Sequence, residues 1–235
     1  MSWNLSPLEW EALRLSLKVA AWATAASLPV GIFIAWLLAR RRFVGHGILN
    51  GIVHLPLVLP PVVIGYALLI LLGRGGLVGG WLYETFGVSL AFTWKGAAVA
   101  AAVMAFPLMV RAMRLSLEAV DPGLEQAART LGASPLRTFT TVTLPLMLPG
   151  VITGAVLAFA RALGEFGATI TFVSNIPGET RTLPLALYTF TQVPGGETSA
   201  LRLAVLAVVV ALIALIASEA LARRVRHVTQ GGDRD

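Results

Sequence analysis

The stretch LEQAARTLGASPLRTFTTVTLPLMLPG, residues 124–150, interrupts a chain otherwise dominated by Ala, Val, Leu and Ile. Its first part has a helical period: Leu124, Ala127, Ala128 and Leu131 recur at i, i+3, i+4 and i+7, forming one apolar stripe. Glu125, Gln126 and Arg129 lie off that stripe. Gly132 is placed as a helix stop, because the left-handed backbone of a C-cap favours glycine. Ser134 and Pro135 then offer an N-cap followed by proline at the first helical position, so a second short helix starts there. Two short helices joined by a glycine turn make a knob, and the small residues Ala127, Ala128, Gly132 and Ala133 permit close approach to it. Periodicity alone leaves two readings open: a knob that fits a groove in a soluble partner, or an ordinary loop helix lying on a membrane surface.

Outward from this stretch the chain reads as a membrane protein. It is 57% hydrophobic and only 13% charged, where a soluble domain carries about a quarter charged residues, and its mean hydropathy is +0.80. A spanning helix needs about 20 apolar residues, so 235 residues suit one all-α polytopic domain over 1–235. The apolar runs predict five transmembrane helices, at 19–38, 47–72, 94–113, 146–173 and 201–221, with a polar loop at 115–145. The run from Leu183 to Val193 is too short to cross and reads as a re-entrant or interfacial helix. The run at 19–38 ends in arginines with no small-residue cleavage site and is read as a retained span rather than a signal peptide.

The net charge of +6 comes from basic clusters at the ends of apolar runs, Arg40 to Arg42, Arg111 with Arg114, and Arg223, Arg224 and Arg226. That distribution is topological and not a nucleic-acid footprint. It places the 115–145 loop in the cytoplasm, the N-terminus outside and the C-terminus inside. With no cysteine, a disulfide framework, a zinc finger and a thiol nucleophile are excluded. His46, His54 and His227 fall in different segments and there is no HExxH, so no metal site, cofactor site or catalytic residue is expected. A nucleotide-binding Walker A loop ends in Gly-Lys-Ser/Thr, but neither Lys18 nor Lys95 follows a glycine. If ATP drives this protein, another subunit handles it.

Two features inside the apolar runs are candidates for function. Arg161 and Glu165 stand four residues apart in FARALGEFGATITFVSN, on one helical face. A charge at mid-bilayer costs about 2.5 to 3.5 kcal/mol on insertion scales, so both belong in the bundle interior. They are either a structural ion pair that fixes packing or a site that passes an anion or opens a gate. Pro56, Pro60 and Pro61 in HLPLVLPPVV free carbonyls that a lipid-facing helix cannot leave unpaired. The readings are a broken helix lining a pathway or a structural kink, with His54 beside it as a packing residue.

The spacing in the opening stretch resembles the cytoplasmic signature of the inner-membrane permease subunits of ABC importers. That signature is Glu-Ala-Ala, three residues, Gly, nine residues and an Ile-x-Leu-Pro-like close, met here by Gln126, Ala127, Ala128, Gly132, Val142, Leu144 and Pro145. Gln126 stands where the family usually has Glu, with Glu125 one residue earlier, and Val142 replaces Ile. The segments LPLVLPPVVIGY, ARALGEFGATITFVSNIPGETRTLP and QVPGGE are similar to the molybdate branch of that family; GEFGAT is shared in broad form with sulfate and thiosulfate permeases.

The resemblance implies a methionine-permease-like fold in a bacterial inner membrane and a non-catalytic role. It further implies a homodimer around a central path, two cytoplasmic ATPase subunits, and an extracytoplasmic molybdate-binding protein that delivers its oxyanion to outer loops around Gly178–Thr182 and Pro194–Thr198. ATPase contacts would fall on Glu125, Gln126, Ala127, Ala128, Gly132, Ala133, Leu136, Leu144 and Pro145. Pro56, Pro60, Pro61, Arg161 and Glu165 would line or gate the path. The rival cargoes are sulfate, thiosulfate and tungstate. The rival transport class is an ion-coupled secondary anion transporter, for which Arg161 with Glu165 is the sole candidate coupling site.

Overall fold

The computed structural model describes residues 5–230, and from Ser218 onward α11 is followed as a backbone helix only. All regular structure among the described residues is helical. The elements are α1 (Pro7–Arg40), α2 (His46–Val58), α3 (Pro61–Leu72), α4 (Leu77–Phe86), α5 (Trp94–Glu118), α6 (Pro122–Thr130), α7 (Pro135–Thr138), a π-helical turn (Phe139–Thr143), α8 (Leu144–Leu163), α9 (Gly167–Val173), α10 (Leu183–Thr191) and α11 (Glu197–Gln230). Among the described residues, four helical stretches are long and apolar enough to cross a membrane, at Pro7–Arg40, Trp94–Glu118, Pro135–Leu163 and Glu197–Ala217. The bent pair α2 and α3 makes a fifth if it counts as one span.

The bundle is centred on α5, whose main neighbours are α1 and α8. Ala97, Ala98, Ala100, Ala101 and Ala105 of α5 are buried, and small residues are what allow membrane helices to approach closely. On the α8 side, a Cβ at Gly154 would lie 2.8 Å from the Met109 carbonyl oxygen, and one at Gly150 would collide with the Ser116 side chain. On the α1 side, a Cβ at Gly31 would lie 2.8 Å from Met109 Sδ. Met104, Met109, Met113, Leu117 and Met147 fill the space left between these backbones. A smaller cluster of Ala12, Leu13, Leu183, Ala186 and Leu203 joins the start of α1 to α10 and α11.

Two apolar runs that read as single spans are broken. The 47–72 run bends by 117° between α2 and α3. Leu59 and Pro60 each precede a proline, which disfavours helical backbone, and both are extended, with ψ of 144° and 135°. The 146–173 run stops at Leu163 and resumes at Gly167, because Glu165 turns its carboxylate onto the Ala168 amide at 2.8 Å and caps a new helix. Upstream, the apolar helix leading into this break begins at Pro135 rather than Leu146, through α7 and the π-turn. The run from Leu183 is the short helix α10, held between α1 and α11, with Ser16 Oγ of α1 accepting from the Leu183 amide at 2.6 Å.

α1 is longer than its apolar run. Ser6 and Glu9 form a reciprocal capping box, and 34 residues extend about 51 Å, more than the bilayer core of about 30 Å. Its first turns carry Glu9, whose Oε1 accepts from Arg202 Nη2 at 2.8 Å and so ties α1 to α11.

Replacing Gly154 with Leu should force α8 off the α5 backbone and lower stability by about 1–3 kcal/mol. Thermal unfolding of the purified subunit in detergent measures this, and an unchanged midpoint would contradict the contact at Met109.

Candidate functional site

The knob is built by its caps. Asp121 opens α6 by accepting from the Gly123 amide at 2.8 Å, with Pro122 in the first helical position. The helix closes where Gly132 takes a φ of +85° and the Ala133 amide returns to the Ala128 carbonyl at 3.0 Å. Ser134 then accepts from the Arg137 amide at 3.3 Å to start α7 behind Pro135. The second helix is one turn, and it passes at once into the π-turn, in which the Leu144 amide bonds back to the Phe139 carbonyl.

These caps turn the apolar stripe outward. Leu124, Ala127, Leu131 and Leu136 are exposed, Leu131 at 88% and Leu136 at 74%. Gln126 and Pro145 are also exposed, whereas Ala128, Ala133 and Leu144 are half-buried. Of the two adjacent polar residues that the sequence leaves undecided, Gln126 faces out and Glu125 faces the bundle, 9% exposed. Glu125 Oε1 accepts from Arg40 Nε at 3.1 Å and from Thr143 Oγ1 at 2.9 Å. Neither partner is signalled by the sequence: Arg40 reads as one of three topological arginines, and Thr143 is an unassigned position in the closing signature. Behind them lies a cavity of about 430 Å³ bounded by Trp36, Arg129 and Phe139.

The candidate pathway residues form a second group. Glu165 is 2% exposed and accepts from Arg161 Nη1 at 2.6 Å. The break that follows it packs directly on the break in the other apolar run. A Cβ at Gly167 would lie 2.8 Å from Pro61 Cβ, and one at Gly65 would lie 2.9 Å from Ala168 Cα. Pro60, Pro61, Arg161 and Glu165 therefore belong to one region where two interrupted helices meet. Pro56 is apart from it, on α2, in a separate cavity with Ser27, Val53 and Phe106. His54 Nδ1 lies 2.8 Å from the Asn50 carbonyl of its own helix.

The segment between α9 and α10 is closed on itself. Asn175 accepts from Arg181 Nε at 3.0 Å and donates to Thr189 Oγ1 at 2.8 Å, while Thr180 Oγ1 accepts from the Ile176 amide at 2.8 Å. Glu179 Oε1 accepts from the Trp94 amide at 3.2 Å, capping α5, and Lys18 Nζ lies 3.5 Å from the centre of the Trp94 ring. Among the described residues no group of His, Cys, Asp and Glu is arranged to hold a metal ion.

This arrangement of helices is found in solved transporters. The chain aligns with TM-score 0.73 to a chain of a bacterial alginate ABC transporter in complex with alginate pentasaccharide-bound periplasmic protein, covering 94% of this chain and 80% of that one at 17% identity. It aligns with TM-score 0.65 to a chain of an inward-facing methionine ABC transporter, covering 92% and 94% at 19% identity. The fold is thus that of an ABC-transporter membrane subunit.

Residues 27–227 match the family of binding-protein-dependent transport system inner membrane components, and the chain belongs to that family of non-catalytic permease subunits. Among curated relatives, it is 63% identical to the molybdenum transport system permease protein ModB of Escherichia coli K12, over 93% of this chain and 96% of that protein. ModB of Haemophilus influenzae is 59% identical over the same shares. A probable sulfate transport system permease protein of Chlorokybus atmophyticus is 37% identical, over 79% of this chain and 65% of that one.

The Arg161–Glu165 contact is testable by a double-mutant cycle. Arg161→Ala should destabilise the subunit more than the double change Arg161→Ala with Glu165→Ala, with a coupling of about 0.5–3 kcal/mol. Additive losses in detergent unfolding would show that the two side chains do not act as a pair.

Proposed function

We propose that this chain is the membrane-spanning permease subunit of an ATP-driven importer for molybdate. Two copies form the translocation path, and a separate ATPase docks on the knob of each. The observation that carries the reading is the capped knob, whose apolar stripe and Gln126 face outward at the positions of the family signature. The identity of about two residues in three to the molybdenum permeases over nearly the whole chain supports the cargo. Contacts with the ATPase fall on Gln126, Ala127, Ala128, Gly132, Ala133, Leu136, Leu144 and Pro145, with Glu125 acting from behind them.

The N-terminus lies outside and the C-terminus in the cytoplasm, as the basic clusters argue. An extracytoplasmic binding protein delivers the oxyanion to the outer segments Gly178–Thr182 and Pro194–Thr198. The path runs past the meeting of the two broken helices, where Pro60, Pro61, Arg161 and Glu165 supply freed backbone groups and charge away from lipid. Sulfate is the second reading of the cargo, favoured by the 37% identity to the sulfate permease.

The decisive measurement is uptake of labelled molybdate by vesicles containing this subunit, its ATPase and its binding protein, with sulfate in excess. Uptake that requires all three components and ATP, and that sulfate does not reduce, is the expected result. Competition by sulfate would move the cargo to the second reading, and uptake without ATP would overturn the transport class. Orientation has its own check, because the chain contains no cysteine. A single cysteine replacing Gln126 should react with a membrane-impermeant thiol reagent only from the cytoplasmic face, and labelling from outside intact cells would reverse the topology.

A further inference from the structure

The inner side of the knob is fastened to the bundle through a single carboxylate. Glu125 Oε1 accepts from both Arg40 Nε and Thr143 Oγ1, and the same arginine donates through Nη2 to the Val120 carbonyl at 3.0 Å. Two side chains thereby connect the last residue of α1, the joint between α5 and α6, the body of α6 and the π-turn that enters α8. Helices α1, α5 and α8 are the three that pack most extensively on one another. The carboxylate and guanidinium side chains are 11% and 13% exposed, so water screens them weakly. Arg114 and Glu118 form a contrasting pair: they are more exposed, at 28% and 41%, and lie on one helix, and only the arginine reaches another element, donating to Asn50 Oδ1 of α2 at 3.0 Å.

Movement of α6 relative to α1 must break the Arg40–Glu125 contact and strand a charge at a shielded site, or carry α1 with it. The second course is the less costly. The π-turn at Phe139–Thr143 supplies the compliance, because a π-helical turn is an irregularity that shifts register locally, and it leaves α8 attached to Glu125 through Thr143. We propose that Arg40 and Glu125 are a positioning pair that makes α1 follow α6 when the partner moves the knob, so that α1 is a driven element of the gate. This rests on the reading of the knob as the ATPase docking site.

The test separates positioning from simple fastening by measuring labelled molybdate taken up per ATP hydrolysed, in vesicles containing the subunit, its ATPase and its binding protein. Glu125→Gln keeps the size of the side chain and removes its charge. The complex should assemble and hydrolyse ATP, while uptake per ATP falls about ten-fold. The exchange of Arg40→Glu with Glu125→Arg should recover most of that ratio. A ratio in Glu125→Gln equal to that of the unaltered subunit, or a fall in uptake only in proportion to hydrolysis, overturns the pair. Where Glu125→Gln does not assemble, Arg40→Lys decides: it keeps the charge and loses the second donor group that reaches the Val120 carbonyl, and an unaltered ratio there also overturns the pair. Absence of ATP-driven uptake in the unaltered complex refutes the transport reading itself and is distinguished by that control.

Discussion

Apolar side chains gain little by leaving lipid for a helix interface, so a membrane bundle is held by contacts that lipid cannot imitate, chiefly backbones brought close together. In this protein that contact is made on α5. Its alanines leave the helix surface smooth, Gly31 and Gly154 bring α1 and α8 onto Met109, and Gly150 accommodates Ser116. Methionines then fill the irregular space between backbones, as flexible unbranched side chains do. The other elements attach to this three-helix centre: α3 and α9 against α5, α10 against α1, and α11 against α8 and α10.

On that apolar frame the buried acids among the described residues are each tied to an arginine. Glu9 meets Arg202 where α1 and α11 join, Glu165 meets Arg161 where a helix breaks, and Glu125 meets Arg40 where the knob joins the bundle. Each carboxylate also accepts a further hydrogen bond, from Ser6, Ala168 or Thr143 respectively. A charge so shielded is tolerable only with its partners in place. The three pairs therefore sit at junctions between segments, where they set how one piece of the chain lies on the next. Their surroundings differ: the knob around Glu125 leaves Leu124, Leu131 and Leu136 exposed.

Much of this architecture was legible in the sequence because it rests on local rules. The helix stop at Gly132, the cap at Ser134, and the break at Pro60 and Pro61 follow from backbone preferences that neighbouring residues impose. The break at Glu165 was legible only in part, from the flanking Gly164 and Gly167, which allow close helix contact or local bending. Its apolar surroundings read as continuous helix, and the interruption depends on a carboxylate choosing the Ala168 amide inside a packed site. The extension of α1 to Pro7 was hidden, because hydropathy reports where lipid begins and not where hydrogen bonding ends.

The facing of the knob shows the division most clearly. The sequence by itself determined a helix over 124–131 with an apolar stripe, its stop at Gly132 and a second helix start at Ser134 and Pro135, since period, proline and glycine act over a few residues. Only the tertiary structure decided that Gln126 points out and Glu125 points in. That outcome depends on Arg40, 85 positions away, and on Thr143 beyond the turn, and no local pattern encodes which of two adjacent polar residues finds a buried partner.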